Sequence, residues 1–182
     1  MKVLIVVDMQ NDFITGALGT KEAEAIVDKV VQRIENAEDE LVLFTQDTHQ
    51  DDYLDTPEGK KLPVVHCIEG AEGWQIHGKI LDAWRNNPNT VRVPELENNS
   101  FTKPVFGSVE LVDFLKSQAT TITEIELLGV CTDICVISNA IMIKNTLPEI
   151  PLTVNETCCA GVTPQSHQEA LNTMKMCHID LI

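Results

Sequence analysis

The sequence predicts an α/β fold, a three-layer αβα sandwich whose mostly parallel, doubly wound sheet has roughly six strands. Two observations predict this fold. Continuous aliphatic runs recur along the chain, as in strands that helices cover on both faces. Amphipathic segments, with apolar residues three and four positions apart, alternate with those runs. The chain has 182 residues, which fits one domain spanning residues 1–182.

The predicted elements follow that alternation from the amino terminus. Buried strands are predicted at residues 3–7, 41–44 and 122–130, and shorter strands at 90–93, 152–154 and 179–182. An amphipathic helix between the first two strands has an inward face formed by Ala23, Ile26, Val27, Val30, Val31 and Ile34. Later helices are predicted at about 108–117 with Val109, Val112 and Leu115 inward, at about 132–145 with Ile134, Ile137 and Ile141 inward, and at about 164–176. Residues 47 to about 81 are too long for a simple connection and rich in His, Asp, Glu, Gly and Pro, which predicts a functional insertion.

Composition excludes several classes of partner. The formal net charge of −15 would repel phosphate backbones and anionic lipid surfaces, so we expect neither nucleic acid nor membrane as a partner. A small neutral or cationic substrate, or a metal cation, suits that charge. Six cysteines without an export signal, two of them adjacent at Cys158 and Cys159, indicate a reduced cytoplasmic protein rather than a disulfide framework.

Cys135 is the first candidate for chemistry. It follows the predicted strand at 122–130, a glycine and short polar residues, so it belongs in the first turn of a helix. The unpaired N–H groups and partial positive charge there favour a thiolate and can hold an oxyanion, which predicts a cysteine nucleophile. The alternative is that Cys135 is inert core filler, as most buried cysteines are.

Two charged residues are predicted near Cys135. Asp8 ends the first strand, and because strands one and four are neighbours in a doubly wound sheet, Asp8 can reach Cys135 and receive its proton. Alternatively, Asp8 only caps a turn. Lys103 lies among apolar residues on a segment without a clear strand or helix period, which predicts a loop at the same edge of the sheet. An ammonium there would stabilise the thiolate, although a lysine in a loop is most often a solvated charge.

The insertion contains a cluster of possible metal ligands. Asp47 and His49 follow the second strand, and Glu58 and His66 come later in the same segment. Two imidazoles with carboxylates can bind Zn²⁺, Fe²⁺ or Mn²⁺, so a divalent metal is predicted and no organic cofactor. The alternative is a solvated acidic loop that happens to contain two histidines.

The motifs together resemble a known family, the isochorismatase-like cysteine hydrolases, whose best-known members are nicotinamidases. The resemblance rests on Lys103 and on two motifs, Asp8-Met9-Gln10-Asn11-Asp12-Phe13 and Gly129-Val130-Cys131-Thr132-Asp133-Ile134-Cys135-Val136. It implies Cys135 as the nucleophile, Asp8 as general acid and base, and Lys103 as the cation that lowers the thiol pKa. It also implies a cis peptide bond between Val130 and Cys131, and an oxyanion hole formed by the N–H groups of Cys131 and Cys135.

The resemblance further implies a metal that binds the pyridine nitrogen of the substrate. The implied ligands are Asp47, His49, His66 and a glutamate matching Glu58, with Asp55 as the rival for the third position. Nicotinamidases commonly place a tryptophan three residues before the histidine that matches His66, as a wall of the ring pocket, and this chain has Pro63 at that position. Phe13 or Trp74 is expected to replace it. Family members also often assemble as homo-oligomers.

Three functions are compatible with these features. The first is hydrolysis of a small carboxamide, nicotinamide foremost, to the acid and ammonia through a thioester on Cys135. The second is hydrolysis of a vinyl ether such as isochorismate. That reaction needs no thiol, and its substrate is a dianion, which a chain with a formal net charge of −15 would repel. The third is a non-enzymatic protein that binds a metal or ligand.

Overall fold

The structure, a computed structural model, describes residues 1–182 and has the predicted α/β architecture. Its strands are β1 Lys2–Val7, β2 Glu40–Asp47, β3 Ser100–Lys103, β4 Glu124–Val130, β5 Leu152–Ala160 and β6 Asp180–Leu181. Its α-helices are α1 Asn11–Ile14, α2 Lys21–Glu35, α3 Gly78–Asn86, α4 Val109–Ser117, α5 Ile137–Thr146 and α6 Pro164–Met176. The strand order is β3-β2-β1-β4-β5-β6, and all neighbouring strands are parallel.

The sheet order determines where a site can form. β1 lies between β2 and β4, and the chain order of the strands reverses direction between β1 and β4. Ligands of such folds bind beyond the carboxyl ends of the strands at this reversal. Almost every residue of β1 and all of β2 are buried, because these strands are covered by helices on both faces.

The first long helix matches its predicted face. Ala23, Ile26, Val27, Val30 and Ile34 of α2 are buried, and Val31 is partly buried. The helix begins at a side-chain cap, in which the Thr20 hydroxyl accepts the N–H of Ala23 at 3.0 Å. α2 packs against α3 and β5, while α5 packs against α4 and α6. None of the helices has the length and apolar character required to cross a membrane.

Three predicted elements are corrected by the structure. Residues 90–93 form no strand, since Val91 makes only an isolated bridge to Leu41. Lys103 is not on a loop but ends the edge strand β3, which pairs with β2. The end of the insertion continues into α3, whose residues Ile80 and Trp84 are buried.

Two predicted helix faces are also corrected. Val109 of α4 is 61% exposed, and Leu111 is buried together with Val112 and Leu115. Before α5, residues Thr132–Val136 form a wider turn, and Ile134, Ile137 and Ile141 are only partly buried. The buried residues are instead Val136, Ala140 and Ile143. In both helices the apolar residues cover more than one face, so spacing alone does not identify the inward one.

Candidate active site

Three side chains meet beyond the carboxyl ends of β1, β3 and β4. The Lys103 ammonium lies 2.7 Å from Asp8 Oδ2 and 3.6 Å from Cys135 Sγ. All three residues are buried, with exposed fractions of 1% for Lys103, 0% for Asp8 and 6% for Cys135. The structure therefore brings together an acid, a cation and a thiol that are far apart in the sequence.

Asp8 is held in place by its neighbours on β2. Its φ of 48° is in the left-handed region, which non-glycine residues rarely adopt outside turns and functional sites. The Thr45 hydroxyl donates to Asp8 Oδ1 at 2.6 Å, and the Asp8 N–H donates to the Thr45 carbonyl at 3.2 Å. These bonds fix the carboxylate at the end of β1.

Cys135 lies in the wide turn between β4 and α5. The Val136 N–H donates to the Cys131 carbonyl at 3.0 Å, five residues back, a spacing that is frequent at functional sites. The N–H of Cys131 donates to no acceptor in the protein, and the Val130–Cys131 peptide bond is cis, as the resemblance implies. The turn thus presents a free backbone donor beside the thiol.

A cavity of about 280 Å³ opens above Cys135. Its walls are mostly apolar, and the residues that line it are Phe13, Leu18, Thr20, Asp47, Glu58, Leu62, His66, Phe106, Cys131, Ile134, Cys135 and Val162. Phe13 therefore lies where a substrate-binding residue is predicted. Trp74 does not, because its side chain turns toward Thr48, whose hydroxyl accepts the indole N–H at 2.8 Å.

Several residues of the cavity walls are not predicted from the sequence. Leu62, Phe106 and Val162 are 38%, 45% and 49% exposed, although each has a large apolar side chain. Apolar residues on loops around a candidate nucleophile are a usable signal, because such residues cover a cavity rather than fill a core. Only the structure distinguishes them from surface residues elsewhere.

The predicted metal ligands form a compact cluster at one side of the cavity. Asp47 Oδ2 lies 2.9 Å from His49 Nε2 and 3.4 Å from His66 Nε2, and the ligand atoms of these residues lie within 4.8 Å of one another. The His66 Nδ1–H donates to the Val64 carbonyl at 2.7 Å, which directs Nε2 to the cluster. All three residues are buried.

Glu58 is better placed than Asp55 to complete this cluster. Glu58 Oε1 is 3.9 Å from His49 Nε2 and lines the cavity, whereas Asp55 is exposed and lies outside both. Two imidazole nitrogens and two carboxylates suit Zn²⁺, Fe²⁺ or Mn²⁺. The Lys103 ammonium lies 3.4 Å from Asp47 Oδ1, so it connects the cluster to Asp8 and Cys135.

Burial and neighbouring charges shift the pKa values of Asp8, Lys103 and Asp47. Burial raises the pKa of Asp8, and the charge of Lys103 offsets only part of this rise. Burial alone would lower the pKa of Lys103, but the acidic groups around it, Asp8 first among them, raise it, so the lysine stays charged. At Asp47, hydrogen bonds from the two histidines outweigh burial and lower the pKa of the carboxyl.

The Cys135 thiol is subject to opposing effects. Burial, followed by the charge of Asp8, raises the pKa of Cys135 well above its ordinary value, and the charge of Lys103 lowers it without cancelling that rise. Lys103 is thus the neighbour that favours a thiolate, while burial favours the thiol. Burial also raises the pKa of Cys131 to about 12, and its sulfur has no hydrogen bond to Lys103.

The fold and site define an α/β protein with a cysteine, an aspartate and a lysine side by side at the reversal of a parallel sheet. The Isochorismatase domain model matches residues 2–182, so the chain belongs to the isochorismatase family. The "Uncharacterized isochorismatase family protein PncA" of Bacillus subtilis (strain 168) is 30% identical over 178 residues, covering 94% of this chain and 92% of that protein.

Two further relatives have names that state an activity. The "Nicotinamidase/pyrazinamidase" of Mycobacterium tuberculosis is 26% identical over 199 residues, covering 100% of this chain and 98% of that protein. The crystal structure of the pyrazinamidase/nicotinamidase from Streptococcus mutans UA159 superposes with a TM-score of 0.81 at 26% identity, covering all of both chains. The likeness thus extends over the whole chain.

Proposed function

We propose that this chain is a nicotinamidase-like amidohydrolase, which converts nicotinamide or a related small carboxamide to the acid and ammonia. One observation carries the proposal: Cys135 lines an apolar cavity, and Lys103 lies beside both the Cys135 sulfur and the Asp8 carboxylate. The relatives named nicotinamidase/pyrazinamidase support the choice of an amide as the bond that is broken. Residues 1–182 act as one hydrolase domain in this proposal.

The first half of the reaction forms a thioester. The Cys135 sulfur attacks the carboxamide carbon while its proton passes to Asp8, whose raised pKa makes it a stronger base than an ordinary aspartate. The carbon–nitrogen bond then breaks, and the departing nitrogen takes the proton from Asp8 and leaves as ammonia. The acyl group remains on Cys135.

The second half of the reaction releases the acid. Asp8 accepts a proton from a water molecule, the water oxygen attacks the thioester carbon, and the carbon–sulfur bond breaks. The proton on Asp8 returns to the sulfur, so the thiol and the carboxylate are restored. The mostly apolar walls of the cavity limit the access of bulk water to the thioester.

Lys103 and the backbone stabilise the charges that develop. The ammonium lies beside both Asp8 and Cys135, so it favours the negative charge that passes between them. In this proposal the N–H groups of Cys131, which has no acceptor in the protein, and of Cys135 donate to the oxyanion of each tetrahedral intermediate. Such donors act in a water-poor site, where each is worth about 3 kcal/mol in the transition state.

Asp47, His49, Glu58 and His66 would hold a divalent ion, since their nitrogen and oxygen donors are clustered and buried. A bound ion would supply a Lewis acid that orients the ring of the substrate through its nitrogen. The protein residues supply the rest of the orientation, because Phe13 and Phe106 offer aromatic surfaces for a ring above Cys135.

The cavity disfavours the vinyl-ether alternative. Two carboxylates, Asp47 and Glu58, line it, and none of its lining residues is an arginine or lysine. A dianionic substrate would enter without a cationic side chain on the walls, against a formal net charge of −15. A neutral carboxamide meets no such penalty.

Ammonia release from nicotinamide, pyrazinamide and benzamide tests the proposal, with metal-free protein and with added Zn²⁺ or Mn²⁺. We expect turnover by the parent, and a fall in kcat of about 10²- to 10⁴-fold for Asp8→Asn and Cys135→Ala. Cys177→Ala is the matched control, because it removes an exposed thiol and should leave kcat unchanged. Full activity of folded Cys135→Ala would falsify the nucleophile assignment.

A further inference from the structure

Asp12 belongs to the motif after β1 but lies outside the cavity and the catalytic centre. Its carboxylate is nevertheless fully engaged. Oδ2 accepts the backbone N–H of Cys67 at 2.7 Å, and Oδ1 accepts that of Ala17 at 3.3 Å. A carboxylate that accepts a backbone N–H makes a charge-assisted hydrogen bond, roughly twice as strong as a neutral one. Asp12 therefore holds a segment 55 residues away along the chain.

The segment held by Asp12 carries His66 and is hydrogen-bonded to the backbone of His49, the other histidine of the metal cluster. Cys67 directly follows His66, is completely buried, and adopts a φ of 46° that a side chain disfavours. The Cys67 carbonyl accepts the N–H of His49 at 2.9 Å, and the His49 carbonyl accepts the N–H of Glu69 at 2.9 Å. Residue 67 thus links the backbones of the two histidines, and Asp12 holds residue 67.

The space around the Asp12 carboxylate is tightly filled. The Asp12 N–H donates to the Gly73 carbonyl at 2.9 Å, so the two residues are in backbone contact. A Cβ added to Gly73 would lie 2.1 Å from Asp12 Oδ2 and 2.4 Å from Oδ1. Any side chain at residue 73 would therefore push the carboxylate away from the N–H of Cys67.

We infer that Asp12 is a positioning residue for the metal cluster. It holds His49 and His66 in the geometry needed for binding before an ion is bound. The inference rests on the metal binding in the proposed function. Its physical basis is that a ligand set ordered by the fold loses less conformational entropy on binding than a mobile one. The neighbouring Phe13 acts in the same direction, since its ring makes an edge contact with the His66 ring at a centroid distance of 5.6 Å.

The experiment measures Zn²⁺ and Mn²⁺ affinity of chelator-stripped protein by calorimetry, and needs no turnover. Asp12→Ala removes the acceptor, while Gly73→Ala keeps the charge and displaces the carboxylate. We expect both to weaken Zn²⁺ binding by about 10- to 100-fold, the usual effect of losing a partner that orients a ligand. Asp28→Ala is the control, because it removes one negative charge at an exposed pair with Lys79 and should leave affinity unchanged.

Each outcome decides the inference. Circular dichroism and urea unfolding establish that a variant is folded, and Gly73→Ala decides the matter if Asp12→Ala does not fold. Wild-type Zn²⁺ affinity in the folded variants, or an equal loss in Asp28→Ala, overturns the role of Asp12. A parent that binds neither ion overturns the metal part of the proposed function and this inference with it, whereas the ammonia assay judges the catalytic residues separately.

Discussion

The two carboxylate oxygens of Asp8 have different neighbours. Oδ1 accepts the Thr45 hydroxyl at 2.6 Å, and Oδ2 faces the Lys103 ammonium at 2.7 Å. Burial disfavours the ionised carboxylate, while both donors favour it. Because the Thr45 hydroxyl is neutral and the Lys103 ammonium is charged, the Thr45 hydroxyl can be removed without changing the charge around Asp8.

Replacing Thr45 with valine should move the acidic limb of the pH–activity profile to higher pH. The change keeps the branched shape of the side chain in β2 and removes the hydroxyl donor, so the pKa of Asp8 rises further above its ordinary value. In the proposed mechanism Asp8 acts as a base only when ionised, so activity should be lost as pH falls through the pKa of Asp8. The measurement is kcat/KM for nicotinamide against pH, with a loss of about tenfold or more expected at the acidic end.

Thr45→Ser is the matched control, because it retains a hydroxyl that can donate to Asp8. Its acidic limb should stay at the wild-type position. The other groups around Asp8, which are Lys103, Asp47 and Cys135, are the same in both variants. Coincident limbs for the valine and serine variants would show that the Thr45 hydroxyl does not set the basicity of Asp8.

At the scale of elements, the close pairing of β1 and β4 sets the distance between Asp8 and Cys135. Val7 pairs with Gly129, and the φ of Gly129 is 123°, which side chains rarely adopt. A Cβ on Gly129 would lie 2.1 Å from the Val7 carbonyl oxygen. Only glycine allows the two strands to approach at the point where both lead into the active site.

We therefore expect Gly129→Ala to lower the free energy of unfolding by about 2 to 6 kcal/mol, from backbone strain and steric overlap together. Because the strands must separate, kcat should fall as well in any folded fraction. Urea unfolding measures the first effect and ammonia release the second. Gly78→Ala is the control, since a Cβ there meets no atom within 4 Å and should change stability by less than about 1 kcal/mol. Equal stabilities for the two variants would contradict the role of Gly129.

The elements differ in how well the sequence predicts them. β1, β2 and β4 are predicted because strands buried on both faces need continuous aliphatic runs. β3 is not predicted because its four residues, Ser100–Lys103, include only one large apolar side chain, and its pairing with β2 is a long-range contact. The helix α3 is missed because it lies at the end of a segment dominated by turn-forming residues.

The candidate site is predicted better than its surroundings, for a physical reason. Asp8 and Cys135 follow strands that can be recognised locally, and parallel topology then brings their ends together. Lys103 is correctly predicted near the carboxyl ends of the strands, but on a loop rather than at the end of β3. The cavity walls and the direction of the Cys135 pKa depend on burial by distant segments, which spacing within the sequence does not record.

In the proposed reaction, the charge of the whole molecule acts on the product. The formal net charge is −15. The substrate of the proposed reaction is neutral, whereas the acid product is an anion at neutral pH. The field of the protein therefore opposes the product more than the substrate, which favours product release.

Ionic strength separates this field from local contacts. Raising NaCl from about 20 to 300 mM shortens the screening length from roughly 20 Å to below 10 Å, so charges on the far surface stop acting on the cavity. We expect inhibition by nicotinate to strengthen by up to about tenfold, while KM for nicotinamide stays constant because that ligand carries no net charge. Repeating the titration with sodium glutamate identifies any competition by chloride itself. Weaker inhibition by nicotinate at high concentrations of both salts would mean that the attraction of the anion to Lys103 outweighs the field of the whole molecule.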